Sequence, residues 1–151
     1  MINQPKNIIT RYGNTGSQLI WSPNFANHHN MDFAKAQKFI DSECIRLMKP
    51  YTPFLNGVLE KSATLGTVIG SGQIKQNTPY ARYQYYGELM VSSTTGSAWA
   101  TSGESKVLTG VPLQHSKAKH PQAGKMWFER MKEAHKQSIL AGAHKYASGG
   151  R

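Results

Sequence analysis

The chain has 151 residues, of which 38% are hydrophobic, so one domain with a modest core and long polar loops is expected. Its 18 Lys and Arg residues exceed its 8 Asp and Glu residues, and the resulting net charge of +10 favours DNA, acidic lipid or an acidic protein as partner. Cys44 is the sole cysteine and no apolar run has the length of a membrane span, so we expect no internal disulfide, cysteine-based zinc site, standard export signal or membrane insertion.

Residues 1–31 are polar and rich in Asn, with one short apolar patch at Leu19, Ile20 and Trp21. This composition predicts an N-terminal arm that holds one strand. The domain itself is expected over residues 32–147.

The first helix is predicted over residues 32–49. Asp32 is a suitable N-cap, and Pro50 ends the pattern because it lacks an N–H and disfavours helix in the residue before it. Apolar residues recur behind Asp32 at steps of three and four, which places them on one helical face: Phe33, Ala36, Ile40, Cys44 and Leu47. On that face Cys44 is expected to be a buried hydrophobe and not a nucleophile.

Two strands are predicted after the turn signal at Asn56 and Gly57, over residues 62–69 and 80–91. The second is rich in tyrosine. On a strand, Tyr83 and Tyr85 would share one face, with Arg82, Gln84 and Tyr86 on the other. Such a strand suits a protein-docking surface, a platform on which nucleic-acid bases stack, or packing against the helices of its own domain.

A long loop is predicted over residues 92–114, because residues 92–110 are rich in Ser, Thr and Gly. We expect this segment to be mobile in the free subunit and to become ordered on assembly, with Trp99 as its anchor. The alternative is that Trp99 packs on its own domain.

A second helix is predicted over residues 125–146, followed by a flexible tail over residues 148–151. Residues 111–151 carry eight basic and two acidic side chains, either as a solvated helix face with a basic tail or as a binding surface. The predicted fold class is therefore α+β, with a small antiparallel sheet packed against two main α-helices and long polar loops.

Nothing in the sequence predicts an active site. The six histidines do not show metal-ligand spacing, and residues 66–72 lack the Gly-Lys-Ser/Thr ending of a phosphate-binding loop. The few carboxylates offer no acid–base pair. We therefore expect no enzyme activity, no metal and no cofactor.

Three segments, together with the first helix, resemble the minor capsid or tail-completion family of long-tailed bacteriophages. They are residues 51–62 (YTPFLNGVLEKS), 77–87 (NTPYARYQYYG) and 120–130 (HPQAGKMWFER). Asn56 stands where the family pattern has Thr, a change that preserves the turn, and residues 1–30 lie outside the resemblance. The family consists of non-catalytic proteins of the phage head–tail junction.

The resemblance implies a virion protein, assembled in the host cytoplasm, that forms a hexameric ring between the portal-side connector and the tail terminator or tail tube. DNA in the channel is a further contact, and an acidic neighbouring ring is the preferred partner of the basic C-terminal region. The alternatives are a tail terminator ring and a small basic nucleic-acid-binding protein. Candidate assembly-interface residues are Tyr80, Arg82, Tyr83, Tyr85, Tyr86, Trp99, Lys117 and Lys119.

Overall fold

The computed structural model describes residues 1–149 and confirms the α+β class. Four α-helices and two separate two-stranded antiparallel sheets make up this part of the chain, where the sequence had predicted a single sheet. In chain order the elements are β1 (Ile8–Tyr12), β2 (Thr15–Leu19), α1 (Phe25–Met48), a 3₁₀ turn (Lys49–Tyr51), α2 (Val58–Gly66), α3 (Ala81–Tyr86), β3 (Glu88–Ser92), β4 (Lys106–Pro112) and α4 (Trp127–Ala147).

The core lies where α1 and α4 pack against each other. Trp127 and Met131 of α4 are almost completely buried, and α1 contributes Cys44, Ile45 and Met48. The predicted burial of Cys44 is confirmed. Helices α2 and α3 close the core from the side through Leu59, Ala63 and Ala81. The β1–β2 hairpin is exposed throughout, whereas β3 buries Met90 and Ser92.

The predicted start of the first helix was wrong. Helix α1 begins at Phe25, so Asp32 is an interior residue and the predicted boundary between residues 31 and 32 falls inside the helix. An aromatic series supports the added turns: the ring centroids of Trp21 and Phe25 lie 4.9 Å apart, and those of Phe25 and His29 lie 4.4 Å apart. These neighbours, and a hydrogen bond from the Ala26 N–H to Gln4 Oε1, favour helix despite the polar sequence.

The strand predicted over residues 62–69 is also wrong, because most of it belongs to α2. Leu59 and Ala63 lie four residues apart and both face the core, which is a helical spacing. The strand predicted over residues 80–91 divides in two. Residues 81–86 form α3, which ends at Gly87 with a positive φ of 71°, and β3 begins at the next residue.

The predicted long loop is shorter than expected because its end forms a strand. Strand β4 pairs with β3 in a register that joins Glu88 to Pro112 and Ser92 to Lys106, so the loop between them covers residues 93–105. Every residue of β4 after Lys106 is exposed.

Helix α4 confirms the second predicted helix, with bounds that differ by one or two residues. Of the predicted tail, the Ser148 and Gly149 N–H groups donate to carbonyls of the last turn, whereas residues 150 and 151 lie outside the described residues. Over residues 1–149, no helix combines the length and apolar character needed to cross a membrane.

Candidate assembly surface

The three segments that carry the family resemblance meet at the N-terminal end of α4. The Gly124 N–H donates to the Tyr51 carbonyl at 3.2 Å, and the Met126 N–H donates to the Tyr85 carbonyl at 2.8 Å. His120 Nδ1 lies 2.9 Å from the Thr52 carbonyl oxygen, and Thr52 is fully buried. These contacts therefore join residues that are far apart in the chain into one packed unit.

The connection between α3 and α4 has a constrained backbone. Met126 adopts a left-handed conformation, with φ of 52°, directly before α4. A Cβ at Gly87 would lie 2.8 Å from the Lys125 Cβ, so only glycine allows this approach. The two constraints fix the end of α3 against the start of α4.

The predicted division of the tyrosines between two strand faces is wrong, because they lie on α3. The Tyr85 ring stacks edge-on against Trp127 at a centroid distance of 4.8 Å, so Tyr85 supports the core. Burial raises the pKa of both Tyr83 and Tyr85 above the usual value for a phenol. Of the five candidate residues on or beside α3, Arg82 and Tyr86 are the two exposed to solvent.

A cleft of about 410 Å³ opens between α3 and the loop before α2. Phe54, Leu59 and Tyr80 provide apolar and aromatic surface, and Gln84 and His115 provide polar groups. Leu55, at the rim, is 91% exposed. A large apolar side chain at the mouth of a cleft is typical of an interface, and this surface joins the first two resemblance segments.

The two candidate lysines lie on the segment that leads into α4. Lys119 Nζ lies 3.6 Å from the centroid of the Phe54 ring, a cation–π contact. Lys117 lines a second cleft together with Lys125 and Arg130. Both lysine side chains are exposed.

Trp99 lies on the loop between β3 and β4, and its side chain is 87% exposed. The alternative that Trp99 packs on its own domain is therefore wrong for this structure. Glu104 accepts hydrogen bonds from the Ser92 hydroxyl and from the Thr101 N–H and hydroxyl. Of these, the Ser92 hydroxyl contributes most to lowering the Glu104 pKa from 4.5 to about 2.

Lys106 connects this loop to α3. Its Nζ donates to the Ala98 carbonyl at 2.7 Å and lies 5.7 Å from the centroid of the Tyr83 ring. Trp99 is thus presented by a loop whose backbone has fixed partners. Lys106 had not been predicted to contribute to this surface, because only the pairing of β3 with β4 places it beside Tyr83.

The N-terminal arm, predicted to hold one strand, forms an antiparallel hairpin of two strands, β1 and β2. All ten strand residues are exposed. The register pairs Ile8 with Leu19 and Tyr12 with Thr15, so Ile8, Tyr12 and Leu19 lie on one face, which also carries Thr10, Thr15 and Ser17. Side chains hold the base of the hairpin: Asn7 Oδ1 accepts from the Trp21 N–H at 2.9 Å, and the Gln4 amide donates to the Ser22 carbonyl at 2.8 Å.

Cys44 is buried, and two of the histidines contact other parts of the chain. Burial raises the pKa of the Cys44 thiol, which disfavours the nucleophilic thiolate. His115 contacts the Gln84 carbonyl oxygen, and His135 contacts the Tyr51 hydroxyl. Within residues 1–149 no three His, Cys, Asp or Glu side chains gather closely enough to hold a metal ion.

Comparison with protein families, with curated proteins and with solved structures finds no match to this chain.

Proposed function

We propose that this chain is a structural protein of the neck of a long-tailed bacteriophage. Copies of it form a hexameric ring in the virion, between the portal-side connector and the tail terminator or tail tube. The ring closes the neck and provides the surface on which the tail docks. The role requires binding surfaces and no catalysis.

The observation that carries the assembly role is the N-terminal hairpin. A two-stranded hairpin alone in water is marginally stable, because neither face is covered. Here both strands are exposed, and three large apolar side chains point to one side. Coverage by another subunit would remove that apolar surface from water.

The family resemblance supports the place of the ring. The three resembling segments are separated by up to 79 positions, counted from residue 51 to residue 130, yet they pack together at one end of α4. This packing supports the proposal, because one structural unit carries all three segments.

Deletion of the gene from the phage genome tests this proposal. We expect DNA-filled heads and separate tails that do not join, visible by electron microscopy of the lysate. Complementation with the intact gene should restore joined particles. Normal particles with complete necks would contradict the proposal.

The same experiment distinguishes the related role of tail terminator. A ring that ends growth of the tail tube would leave tails of irregular length when it is lost. Tails of normal length support the neck role. Empty, unexpanded heads would indicate a function earlier in head assembly and would also contradict the proposal.

A further inference from the structure

A basic cleft lies between the segment before α4 and the first turn of α4. Its volume is about 460 Å³. Three of its lining side chains are cations and none is a carboxylate. The lining residues are Leu113, His115, Lys117, Ala123, Gly124, Lys125 and Arg130.

The Arg130 guanidinium is held in position within this cleft. Its Nη1 donates to the Gln122 carbonyl at 2.8 Å, and its Cζ lies 5.4 Å from the centroid of the Tyr51 ring. A Cβ at Gly124 would lie 2.9 Å from Nη1, so the guanidinium extends across that glycine. An arginine fixed in this way loses little side-chain entropy when it binds a carboxylate through its remaining N–H groups.

The Lys125 stem passes close to Gly87, and Lys117 adds a third positive charge. Over residues 1–149, no carboxylate oxygen lies within 4.0 Å of a side-chain nitrogen of Lys117, Lys125 or Arg130. Within this part of the chain, the three cations thus form no direct ion pair.

We infer that the basic cleft binds an acidic segment of a partner protein, with Asp or Glu carboxylates on Arg130, Lys117 and Lys125. Charge complementarity identifies the occupant as an anion. The shape favours a peptide over duplex DNA, since the cations surround a recess that has Leu113 and Ala123 on its walls. A peptide places an apolar side chain in such a recess, whereas phosphate contacts position a nucleic acid by its backbone alone.

The inference goes beyond the ring proposal, because it names the chemistry of a partner other than a second copy of this chain. A second copy fits poorly, since each copy carries a net charge of +10. Placing the acidic segment on a neighbouring ring of the neck rests on the proposed function. The binding itself does not, so its measurement is independent of the deletion experiment.

Fluorescence anisotropy with a fluorescein-labelled peptide rich in glutamate and leucine tests the inference on the full chain. A peptide with glutamine in place of glutamate and a labelled DNA duplex are the comparison probes, all at about 150 mM salt. We expect saturable binding of the glutamate peptide and at least about tenfold weaker binding of the other two, the effect of about 1.4 kcal/mol.

Matched variants locate the binding. Lys117→Gln with Arg130→Gln should weaken the glutamate peptide about tenfold or more, whereas Lys61→Gln with Lys136→Gln, which removes the same charge elsewhere, should change it less than about twofold. Lys117→Gln alone should act in the same direction without disturbing the Arg130 contacts. Equal weakening by both pairs, or equal binding of the glutamine peptide, would overturn the inference.

Preference for the duplex over the glutamate peptide would likewise overturn it and would assign the cleft to nucleic acid. If the purified chain binds the peptide but deletion of the gene leaves necks intact, the binding site is retained and its place in the neck is rejected. Loss of the neck without peptide binding would retain the proposed function and reject the cleft.

Discussion

Gly142 of α4 lies where the two long helices approach each other, opposite the Phe39 ring of α1. A Cβ built at this position would lie 2.4 Å from Phe39 Cζ, so any larger residue here requires the Phe39 ring to shift. We expect Gly142→Ala to lower the free energy of unfolding by about 1–2 kcal/mol, because overpacking outweighs a gain in helix propensity of about 1 kcal/mol. Chemical denaturation measures this change.

A second substitution checks the mechanism of that loss. Phe39→Leu removes the ring atoms that meet the new Cβ, so the double variant should be more stable than the sum of the single changes implies. Additive effects would show that Gly142 acts through something other than its contact with Phe39.

Trp127 connects the core to residues 67–80, the segment between α2 and α3. Its side chain is 1% exposed, and its Nε1–H donates to Gln76 Oε1 at 2.9 Å. Trp127→Phe should cost about 2–4 kcal/mol, since it leaves the Gln76 oxygen without this donor and opens a small cavity. Trp99→Phe, at a side chain that is 87% exposed, is the matched control and should cost less than about 0.5 kcal/mol. Equal losses would contradict the assignment.

At the scale of elements, Asp41 attaches the loop after α2 to α1. Its buried carboxylate accepts from the Gly70 N–H at 2.7 Å and the Gly72 N–H at 3.1 Å. Asp41→Asn preserves the shape but removes a charged acceptor, and we expect a loss of about 2 kcal/mol. Amide exchange at Gly70 and Gly72 should accelerate. Asp32→Asn, which affects one ion pair with the exposed Lys35, should change stability by less than about 0.5 kcal/mol.

The loop of residues 93–105 should depend on pH through Glu104. Hydrogen bonds from Ser92 and Thr101 lower the Glu104 pKa from 4.5 to about 2, so the folded state favours the ionised form. The contribution to stability is complete above about pH 4.5 and is lost as the pH falls through about 2. The Thr94 and Thr101 N–H groups donate to the Glu104 carboxylate, so their protection, taken relative to the intrinsic exchange rate at each pH, should therefore fall in that range.

Two measurements check this assignment. Glu104→Gln should remove the pH dependence of the loop, since it leaves nothing to titrate there. Direct titration of Glu104 by NMR near its ordinary value of 4.5 would contradict it. Protection of the same amides in the assembled particle, relative to the free subunit, remains the test of whether assembly orders this segment.

At the scale of the whole molecule, the N-terminal hairpin should affect assembly without affecting the fold. Ile8→Thr with Leu19→Thr removes the paired apolar side chains of one face and retains residues that favour strands. Because both side chains are exposed in the single chain, we expect a change in unfolding free energy below about 1 kcal/mol. Complementation of a gene-deleted phage should nevertheless fail.

The control for that experiment is Gln18→Thr, on the opposite face of the same hairpin, which should complement normally. Particles that incorporate the Ile8→Thr, Leu19→Thr protein at the normal level would show that the hairpin is not an assembly contact. Thermal unfolding of each purified variant separates failed assembly from failed folding.

The sequence by itself determined the α+β class, the position of α4 and the burial of Cys44. Each rests on a signal within one segment. Helix α4 has an apolar face repeated at helical spacing, and Cys44 continues the spacing of Ala36 and Ile40, whereas Phe33 on the same predicted face is 48% exposed. Such periodicity predicts which face of a helix packs on the core, and this prediction does not depend on which other element provides the contact.

Only the tertiary structure decided the state of the tyrosine-rich segment, the start of α1 and the composition of the binding surfaces. Local preference favours a strand for residues 80–86, but the stacking of Tyr85 on Trp127 and the left-handed turn at Gly87 make it a helix. The basic cleft unites Lys117 and Arg130 through the fold of the segment between them. Contacts between distant residues outweigh local preferences, which amount to about 1 kcal/mol or less per residue, and no single segment of sequence records them.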